Sequence, residues 1–329
     1  MQLEWETLPL VAPPPLKAEA ELYDSVPVHS QTALVVFNPM AGKRGRFLLN
    51  AVVDELRILG WHVSLVETKQ KGHAEQIASG LYEGSCNGPD ILVVAGGDGT
   101  INEIINGLAV IGRLDLPVGL IPIGTVNLLA SEIKLPRSPH LLAQIISDGH
   151  FRNVVLGQIC TKYKSRFFVM TAGVGFDARS VSRVSHRLKR LNGKLAYIVA
   201  GIEEYLLGRW PCYQVIVDGE DVVARSILFA NGKYYAGGMI WASAANIELS
   251  ALEVGIFARA GRLRLPLYAL GLIAGRLYQM RDVSIRTATK IHLLGPRNEP
   301  VQADGDIVAH LPVRISVASV GARILGPSR

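Results

Sequence analysis

Cysteine is scarce in this chain, and its placement excludes several kinds of site. The three cysteines, Cys86, Cys160 and Cys212, lie far apart and form no C-x-x-C pair. This pattern argues against a disulfide framework and against a zinc site, and it fits a reducing compartment such as the cytoplasm. The eight histidines show no H-E-x-x-H or comparable spacing, so they indicate no metal site either.

Long hydrophobic runs are also missing. The longest apolar run, Leu265 to Met280, is shorter than a membrane-spanning helix needs and contains Arg276. Residues 1–30 have no basic segment followed by an apolar one, so we expect no signal peptide. They are proline-rich and acidic, which predicts a flexible arm. We therefore expect a soluble or peripheral protein.

The net charge of +6 is concentrated outside the acidic arm, and a basic body suggests an anionic partner. Nucleotide phosphates, nucleic acid and an acidic membrane surface all fit. Nucleic acid is the weakest of the three, because no aromatic residues are interleaved with the basic ones. One helical stretch is strongly basic and is either a membrane-facing patch or a solvated face. Its basic residues are Arg179, Arg183, Arg187, Lys189, Arg190 and Lys194. The later stretch "RAGRLRLPLYALGLIAGRL" is either an amphipathic membrane contact or a core helix.

The first part of the chain alternates short apolar runs with stretches of helical periodicity. Strands that alternate with helices, and are apolar throughout, indicate a parallel sheet covered on both faces. Ligands of such folds lie beyond the carboxyl ends of the strands. The expected strands are residues 33–37, 62–68, 91–95 and 117–123.

The rhythm changes after about residue 152. Two apolar stretches joined by Asp218-Gly219 predict a hairpin, and residues 290–319 predict three or four further strands. One long helical segment, residues 178–207, interrupts them. These patterns predict an antiparallel β-sandwich in this half of the chain.

The expected fold class is therefore α/β plus β. A Rossmann-like, three-layer α/β domain is expected over residues 31–152, after the arm over residues 1–30. A β-sandwich domain is expected over residues 153–329, and packing of the extreme C-terminus against the first domain is left open.

The stretch "AGGDGTINE" follows the third strand and concentrates glycine at the start of a helix. A helix N-terminus favours phosphate, and glycines let the backbone approach it closely. Thr100 and Glu103 have the spacing of a capping box. Asp98 is a candidate for holding Mg²⁺ or accepting a proton. The alternative is a plain glycine-rich turn, and the pattern matches neither a P-loop nor a dehydrogenase fingerprint.

Two more strand ends carry turns suited to phosphate. In "NPMAGKRGR", Asn38, Pro39 and Gly42 shape a turn, while Lys43 and Arg44 are cations that could reach phosphate oxygens. A solvated basic loop is the alternative reading. The fourth strand ends in "IPIGTVN", which adds Gly124, Thr125 and Asn127.

The motifs "NPMAG", "GGDGTINEIINGL" and "IPIGTVN", in this order and spacing, resemble the diacylglycerol kinase catalytic-domain family. That superfamily includes bacterial lipid kinases, sphingosine and ceramide kinases and, more distantly, NAD kinases. The resemblance continues through "TAGVGFDA", "ANGKYYAGGM" and "VQADGDIVAHLPVRI" and so covers nearly everything after residue 31. It implies an ATP-binding first domain and a lipid-binding second domain.

The resemblance also implies roles for individual residues. ATP, with Mg²⁺ at Asp98, would lie against Asn38, Pro39, Gly42, Lys43, Thr68, Gly96, Gly97, Asp98, Gly99, Thr100, Asn102, Glu103, Gly124 and Thr125. The family's D-G-E motif, with its general base, matches Asp304, Gly305 and Asp306, which makes Asp306 the expected base beside Asp98. Alternatively, Asp304-Gly305 is only a hairpin turn, in which case Asp304→Asn would be well tolerated.

Several positions depart from the family's pattern. Val155 stands where related kinases have an aspartate shortly before G-Q. Related kinases also have an aspartate directly after the asparagine that corresponds to Asn127, and here that residue is Leu128. The segment that binds an auxiliary Mg²⁺ in some members is here "AANIELSALEV", which leaves only Glu248 and Glu253 as ligands. These departures are compatible with an altered lipid preference or with a weak kinase.

We therefore expect an ATP- and Mg²⁺-dependent lipid kinase at the cytoplasmic face of an anionic membrane, bound peripherally. The acceptor would be diacylglycerol, ceramide or a sphingoid base. We expect no nucleic acid partner, and a homodimer stays open. Two alternatives remain: an NAD kinase, which shares G-G-D-G-T, and a catalytically weak, nucleotide-regulated lipid-binding protein.

Overall fold

The computed structural model describes residues 31–42, 45–82, 88–184, 193–236 and 238–328. Strands and helices alternate through the first part of the chain, as predicted. The strands are β1 Thr32–Phe37, β2 His62–Glu67, β3 Ile91–Gly96 and β4 Val118–Pro122. The helices are α1 Gly45–Ile58, α2 His73–Ser79, α3 Asp98–Val110, α4 Leu128–Glu132 and α5 Pro139–Asp148.

These four strands pair in parallel in the order β2-β1-β3-β4. Strand β3 is buried at every position, because helices cover both faces of the sheet. On one face, Leu49 of α1 and Leu142 of α5 belong to a single apolar cluster. On the other face, Ile104 of α3 and Leu129 of α4 belong to a second cluster. The parallel sheet therefore presents the carboxyl ends of its strands at one edge.

The second part of the chain is mostly antiparallel. Its strands are β5 Phe151–Cys160, β6 Ser165–Phe168, β7 Thr171–Val174, β8 Tyr213–Val217, β9 Glu220–Ala224, β10 Ser226–Ala230, β11 Tyr234–Tyr235, β12 Met239–Ile240, β13 Leu252–Phe257, β14 Val283–Ala288, β15 Lys290–Gly295, β16 Pro300–Ala303, β17 Asp306–His310 and β18 Val313–Leu325. Its helices are α6 Phe176–Ser182, α7 Gly193–Leu207 and α8 Arg264–Ile273.

One antiparallel sheet has the order β14-β13-β10-β7-β16-β17. The remaining long strands, β18, β15, β8 and β9 with β5 and β6 beside them, continue the sheet of the first part beyond β4. Side chains from both sheets form one core, to which Val174 and Phe229 contribute from the first and Val215 and Ile291 from the second. This confirms the expected α/β part followed by an antiparallel β part.

Strand β18 joins the two parts. It pairs antiparallel with β5 and β15, and Ile324 near its end pairs in parallel with Val118 of β4. The C-terminal strand therefore extends the parallel sheet of the first part. The limits predicted for the domains stay predictions, and the predicted arm lies outside the described residues.

Two local expectations need correction. The Asp218-Gly219 hairpin forms between β8 and β9, but the following segment is a third strand, β10, which belongs to the other sheet. The helical segment expected over residues 178–207 is described as two helices, α6 and α7, and residues 185–192 between them lie outside the described residues. Among the described residues, no helix combines the length and apolar character needed to cross a bilayer.

Two arginines of the basic stretch form ion pairs within the protein. The Arg179 guanidinium contacts Glu299 at 2.5 Å and that of Arg183 contacts Glu204 at 2.6 Å, so both side chains face carboxylates of the protein. The membrane-facing patch expected on this stretch stays a prediction. Arg187, Lys189 and Arg190 lie outside the described residues.

A buried asparagine at the end of β10 generates a prediction about stability. Asn231 is fully buried, and its Nδ2 donates to the carbonyl oxygens of Val155 at 2.6 Å and Val169 at 2.7 Å. Asn231→Ala leaves both carbonyls without these donors, so we expect the free energy of unfolding to fall by about 2–4 kcal/mol. Urea denaturation measures the change. Asn50→Ala, on the exposed face of α1, should shift it by under about 0.5 kcal/mol, and equal losses would contradict the role of Asn231.

Candidate functional site

Three loops meet at the carboxyl edge of the parallel sheet. They follow β1, β3 and β4 and carry Asn38–Gly42, Gly97 and Gly124–Asn127. Adjacent parallel strands end side by side, so these loops lie next to one another, as the motif positions predict. The segment after β2 borders them, since the Thr68 N–H donates to the Phe37 carbonyl at the end of β1.

The loops after β3 and β4 are in direct backbone contact. A Cβ added to Gly124 would lie 2.5 Å from the Cα of Gly97, and one added to Gly97 would lie 3.2 Å from the Cα of Gly124. Gly96 is equally constrained, because a Cβ there would lie 2.7 Å from Thr100. Gly96, Gly97 and Gly124, which are predicted to bind phosphate, are therefore favoured by close packing whether or not phosphate binds.

Gly99 differs from these three glycines. The one atom that a Cβ at Gly99 would meet within 4 Å is Oδ2 of Asp306, at 3.8 Å. Gly99 lies in the first turn of α3, where backbone N–H groups have no partner within the helix. The open side of the glycine loop is therefore at Gly99, facing the β-sandwich.

Asp98 ties the two glycine loops together. Its Oδ1 accepts a hydrogen bond from the Leu129 N–H at 3.3 Å, at the start of α4. Burial raises the pKa of this carboxyl, and the backbone donors of Leu128 and Leu129 oppose that rise. The predicted roles of Asp98 in metal binding and catalysis stay predictions, beside this structural contact.

The loop after β1 is held against the loop after β3. Asn38 Nδ2 donates to Thr100 Oγ1 at 2.9 Å, and Asn38 Oδ1 accepts from the Met40 N–H, which closes the turn around Pro39. A Cβ on Gly42 would lie 2.9 Å from the Ile123 carbonyl oxygen, so glycine is needed here for close packing. Among the remaining predicted ligands, Thr125 is exposed at the rim, and Lys43 lies outside the described residues.

The expected capping box of α3 is wrong. Thr100 accepts from Asn38, and Glu103 accepts from the N–H groups of Gly72 at 2.8 Å and Ala74 at 3.2 Å. Glu103 therefore shapes the loop before α2 instead of capping its own helix. Burial raises the pKa of Glu103, the N–H groups of Gly72 and Ala74 oppose that rise, and the charge of Asp306 adds to it.

Asn102 also has a different environment from the one expected. It is buried, and its Nδ2 donates to the Phe167 carbonyl at 2.9 Å and to Asp304 Oδ2 at 2.8 Å. The side chain links α3 to the β-sandwich. Its predicted cofactor role stays a prediction beside this structural contact.

Asp304 occupies a tight turn and is also a buried anchor. Both Asp304 and Gly305 have positive φ, 46° and 83°, as a two-residue hairpin between β16 and β17 requires. The Asp304 carboxylate accepts from Asn102 and from the backbone N–H groups of Val169, Met170 and Thr171, at 2.7 to 3.0 Å. Burial raises the pKa of Asp304 to about 6, while these donors oppose the rise.

This anchored turn delivers Asp306 to the open side of the glycine loop. One carboxylate oxygen of Asp306 faces Gly99, and the other accepts from Lys71 Nζ at 2.6 Å. The structure thus brings Asp306 to the cleft, where the family resemblance expects it. Lys71 was missed by sequence reasoning, although its place just after a strand that ends at this edge was a usable signal.

The auxiliary metal site finds no support in the described residues. Glu248 contacts Arg152 at 3.3 Å, and Glu253 is buried and accepts from Thr287 Oγ1 at 2.7 Å. Among the described residues, no three His, Cys, Asp or Glu side chains come together in a way that could hold a metal ion. Both glutamates are therefore assigned to internal contacts.

The chain matches two family models along most of its length. The diacylglycerol kinase catalytic domain matches residues 32–159, and the YegS C-terminal NAD kinase beta sandwich-like domain matches residues 170–325. A diacylglycerol kinase of Mycobacterium tuberculosis (strain ATCC 25618 / H37Rv) is 30% identical over 261 residues, 78% of this chain and 83% of the relative. One of Bacillus subtilis (strain 168) is 32% identical over 199 residues, 60% of this chain and 63% of the relative.

The fold agrees with these matches. The crystal structure of a candidate diacylglycerol kinase from Bacillus anthracis str. Sterne has a TM-score of 0.71 at 20% identity, covering 94% of this chain and 99% of that chain. Together the matches place this protein among the kinases. The chain belongs to the diacylglycerol kinase catalytic-domain family, as its motifs indicate.

The anchoring of Asp304 generates a prediction that reverses the expectation for a simple turn. Asp304→Asn replaces one acceptor oxygen with an NH₂ group that faces N–H donors, so at least one buried donor loses its partner. We expect the free energy of unfolding, measured in urea, to fall by about 2–4 kcal/mol.

The matched control is Asp218→Asn in the other Asp-Gly hairpin. Asp218 also has positive φ and accepts from the backbone of Thr289 and Lys290, but it is exposed, so water can replace the lost contacts. We expect a loss below about 1 kcal/mol there. Equal effects at the two turns would mean that Asp304 is only a turn residue.

Proposed function

We propose that this protein is an ATP-dependent lipid kinase that phosphorylates the hydroxyl group of a diacylglycerol-like lipid at a membrane surface. The observation that carries the proposal is the position of Asp306, whose carboxylate faces Gly99 across the cleft. The names of the relatives matched over most of the chain support a lipid acceptor in preference to NAD.

The nucleotide phosphates would lie on the open side of the glycine loop. The first turn of α3 offers the Gly99 N–H and the positive end of the helix dipole, both of which favour phosphate. Asn38–Gly42 and Thr125 border this position. Lys71 lies opposite, and its side chain is 60% exposed, so it can turn from Asp306 to a phosphate oxygen.

The donors present fit a magnesium ion held mainly by the nucleotide. Mg²⁺ in kinases takes one or two carboxylates together with substrate phosphates and does not need a cage of protein ligands. Asp98 and Asp306 supply carboxylates near the glycine loop. When bound, the ion would neutralise charge on the phosphates.

Asp306 would act as the general base. The acceptor hydroxyl donates its hydrogen bond to Asp306, its oxygen forms a bond to the γ-phosphorus, and the bond from phosphorus to the bridging oxygen of ADP breaks. The hydroxyl proton passes to Asp306. Lys71 binds one carboxylate oxygen, Oδ1, at 2.6 Å, so the hydroxyl would donate to the other, Oδ2, which faces Gly99.

Asp306→Asn tests the assignment of the base. Asparagine keeps the shape but cannot accept the proton, so we expect turnover to fall about 10²–10⁴-fold while ATP binding persists. Turnover is measured as label transferred from ATP to a total lipid extract, with the product identified by mass spectrometry. Asp306→Glu should retain part of the activity, because it keeps the carboxylate. An Asp306→Asn variant within a few-fold of the wild type would remove Asp306 from the mechanism.

Gly99→Val tests the position of the phosphates. Its side chain would project into the space between the glycine loop and Asp306, where a Cβ meets only Asp306 Oδ2, at 3.8 Å. We expect ATP affinity, measured by calorimetry, to fall at least about tenfold (1.4 kcal/mol) with little change in melting temperature.

Gly97→Val is a poorer test of the same idea, because its side chain would also push against Gly124. Gly80→Val is the matched control, since a Cβ at Gly80 meets nothing within 4 Å and its φ is −77°. Wild-type affinity in Gly99→Val would place the nucleotide elsewhere.

A further inference from the structure

The outward face of α8 is apolar from end to end. Leu267, Leu270 and Ile273 are 46%, 62% and 71% exposed, and Leu263 just before the helix is 86% exposed. Between Leu265 and Gly275 the chain has no charged residue. Helices at the surface of a globular protein normally place their polar side outward, so α8 has the reverse arrangement.

A second apolar stripe lies beside it on α7. Ile198, Ile202 and Leu206 follow one another at four-residue spacing and are 58%, 52% and 52% exposed. The C-terminal end of α7 touches the loop before α8, because the Tyr205 hydroxyl donates to the Arg262 carbonyl and the Arg262 guanidinium donates to the Leu206 carbonyl, both at 3.0 Å. The two stripes are therefore neighbours on one surface.

An arginine-lined pocket of about 540 Å³ adjoins this apolar surface. Its lining includes Trp210, Arg225, Arg259, Arg262 and Arg264. Within the described part of the chain, none of Arg225, Arg259 and Arg262 forms an ion pair with a carboxylate, whereas Arg264 contacts Asp282 at 3.4 Å. The pocket thus has an excess of positive charge at the edge of an apolar face.

We propose that this surface, which we call the docking face and define as the exposed apolar residues of α7 and α8 with the arginine pocket, binds an anionic lipid bilayer. The apolar residues would enter the boundary between headgroups and acyl chains, and the arginines would contact headgroup phosphates. Helix α8 has ten residues, so it lies in the plane of the interface and does not span it.

Charge distinguishes a bilayer from a second copy of this chain as the occupant. A symmetric dimer formed through the docking face would bring two arginine pockets together, and like charges repel across such an interface. An anionic membrane supplies the opposite charge and an apolar layer beside it. Exposed apolar surface of this kind is unusual on a monomer unless it binds something.

The docking face is linked to the cleft by a chain of contacts. Helix α8 packs against β12, and β11, the partner of β12, packs against α4. From β11, the Tyr235 hydroxyl donates to Asp177, which also accepts from Gln302 at 2.6 Å. Gln302 in turn accepts from the Gly305 N–H at 3.1 Å, one residue before Asp306. These contacts connect the docking face to the hairpin that carries Asp306.

The test compares two double variants with one matched control. Leu267→Ser with Leu270→Ser removes apolar contact, and Arg259→Glu with Arg262→Gln removes charge while keeping a donor for the Leu206 carbonyl. The control is Ile58→Ser with Arg137→Glu, both exposed positions on the first part of the chain. Binding is measured by co-flotation with vesicles of phosphatidylglycerol and phosphatidylcholine, and with phosphatidylcholine alone.

We expect the wild type and the control to float with the anionic vesicles and to bind the neutral ones less. Each basic residue near an anionic surface contributes roughly fivefold, so the arginine variant should bind at least about tenfold more weakly and show less sensitivity to salt. The leucine variant should lose about tenfold on both kinds of vesicle. Unchanged flotation of either double variant would overturn the proposal, and so would equal losses in the control.

Self-association provides a further check. If the leucine variant binds vesicles like the wild type but loses a dimer seen by sedimentation velocity, the docking face is an interface between copies and the proposal fails. The inference rests on the proposed function, because a lipid kinase must reach a membrane, but flotation can be measured without any kinase activity. A parallel kinase assay on a short-chain diacylglycerol dispersed as monomers distinguishes failure of the docking face from failure of the proposed function. If the flotation results are as expected but this lipid is not phosphorylated, the docking face stands and the proposed function is rejected.

Discussion

The Asp304 carboxylate holds the two halves of the cleft at a fixed distance. It accepts hydrogen bonds from the turn that includes Val169 and Thr171 and from Asn102 on α3, so helix, turn and hairpin share one buried anchor. A buried carboxylate is costly unless its oxygens are fully hydrogen-bonded, and here four donors satisfy them. Because Asp306 follows two residues later, the anchor also determines where the proposed base faces the glycine loop.

The glycines of this motif have two different physical roles, close packing of the loops and space for a ligand, and the sequence alone does not show which glycine has which role. A Cβ on Gly96 or Gly124 would lie within 2.7 Å of protein atoms, and one on Gly97 would make a tight contact of 3.2 Å with the Cα of Gly124. At Gly99 the space is open toward Asp306. Of these four glycines, only Gly99 is not needed for the packing of the loops. It lies at the N-terminus of α3, where phosphate is most favoured.

Sequence reasoning succeeded where the signal was local or where the family resemblance carried it. Apolar runs and helical periodicity predicted the strands of the parallel sheet and their shared edge, and the resemblance placed Asp306 at the cleft. It failed where a polar side chain has a distant partner. The spacing of Thr100 and Glu103 predicts a capping box, yet the Glu103 carboxylate accepts from the N–H groups of Gly72 and Ala74. The contact between Asn102 and Asp304 likewise has no signal in the sequence. Hydrogen bonds between residues far apart in the chain leave no periodic trace, so the pairing of Lys71 with Asp306 could not be predicted, although the place of Lys71 after β2 could.

The pairing of β18 with β4 has a consequence for how the chain folds. Val118 in β4 pairs with Ile324 in β18, and Val118 is synthesised long before Ile324. Until the last strand arrives, β4 exposes unpaired backbone groups that could pair with other chains. Contacts this distant in sequence slow folding, because a long loop must close before they form. We expect the first part to stay open along β4 during synthesis and to acquire this edge only once β18 has been made and can pair with it.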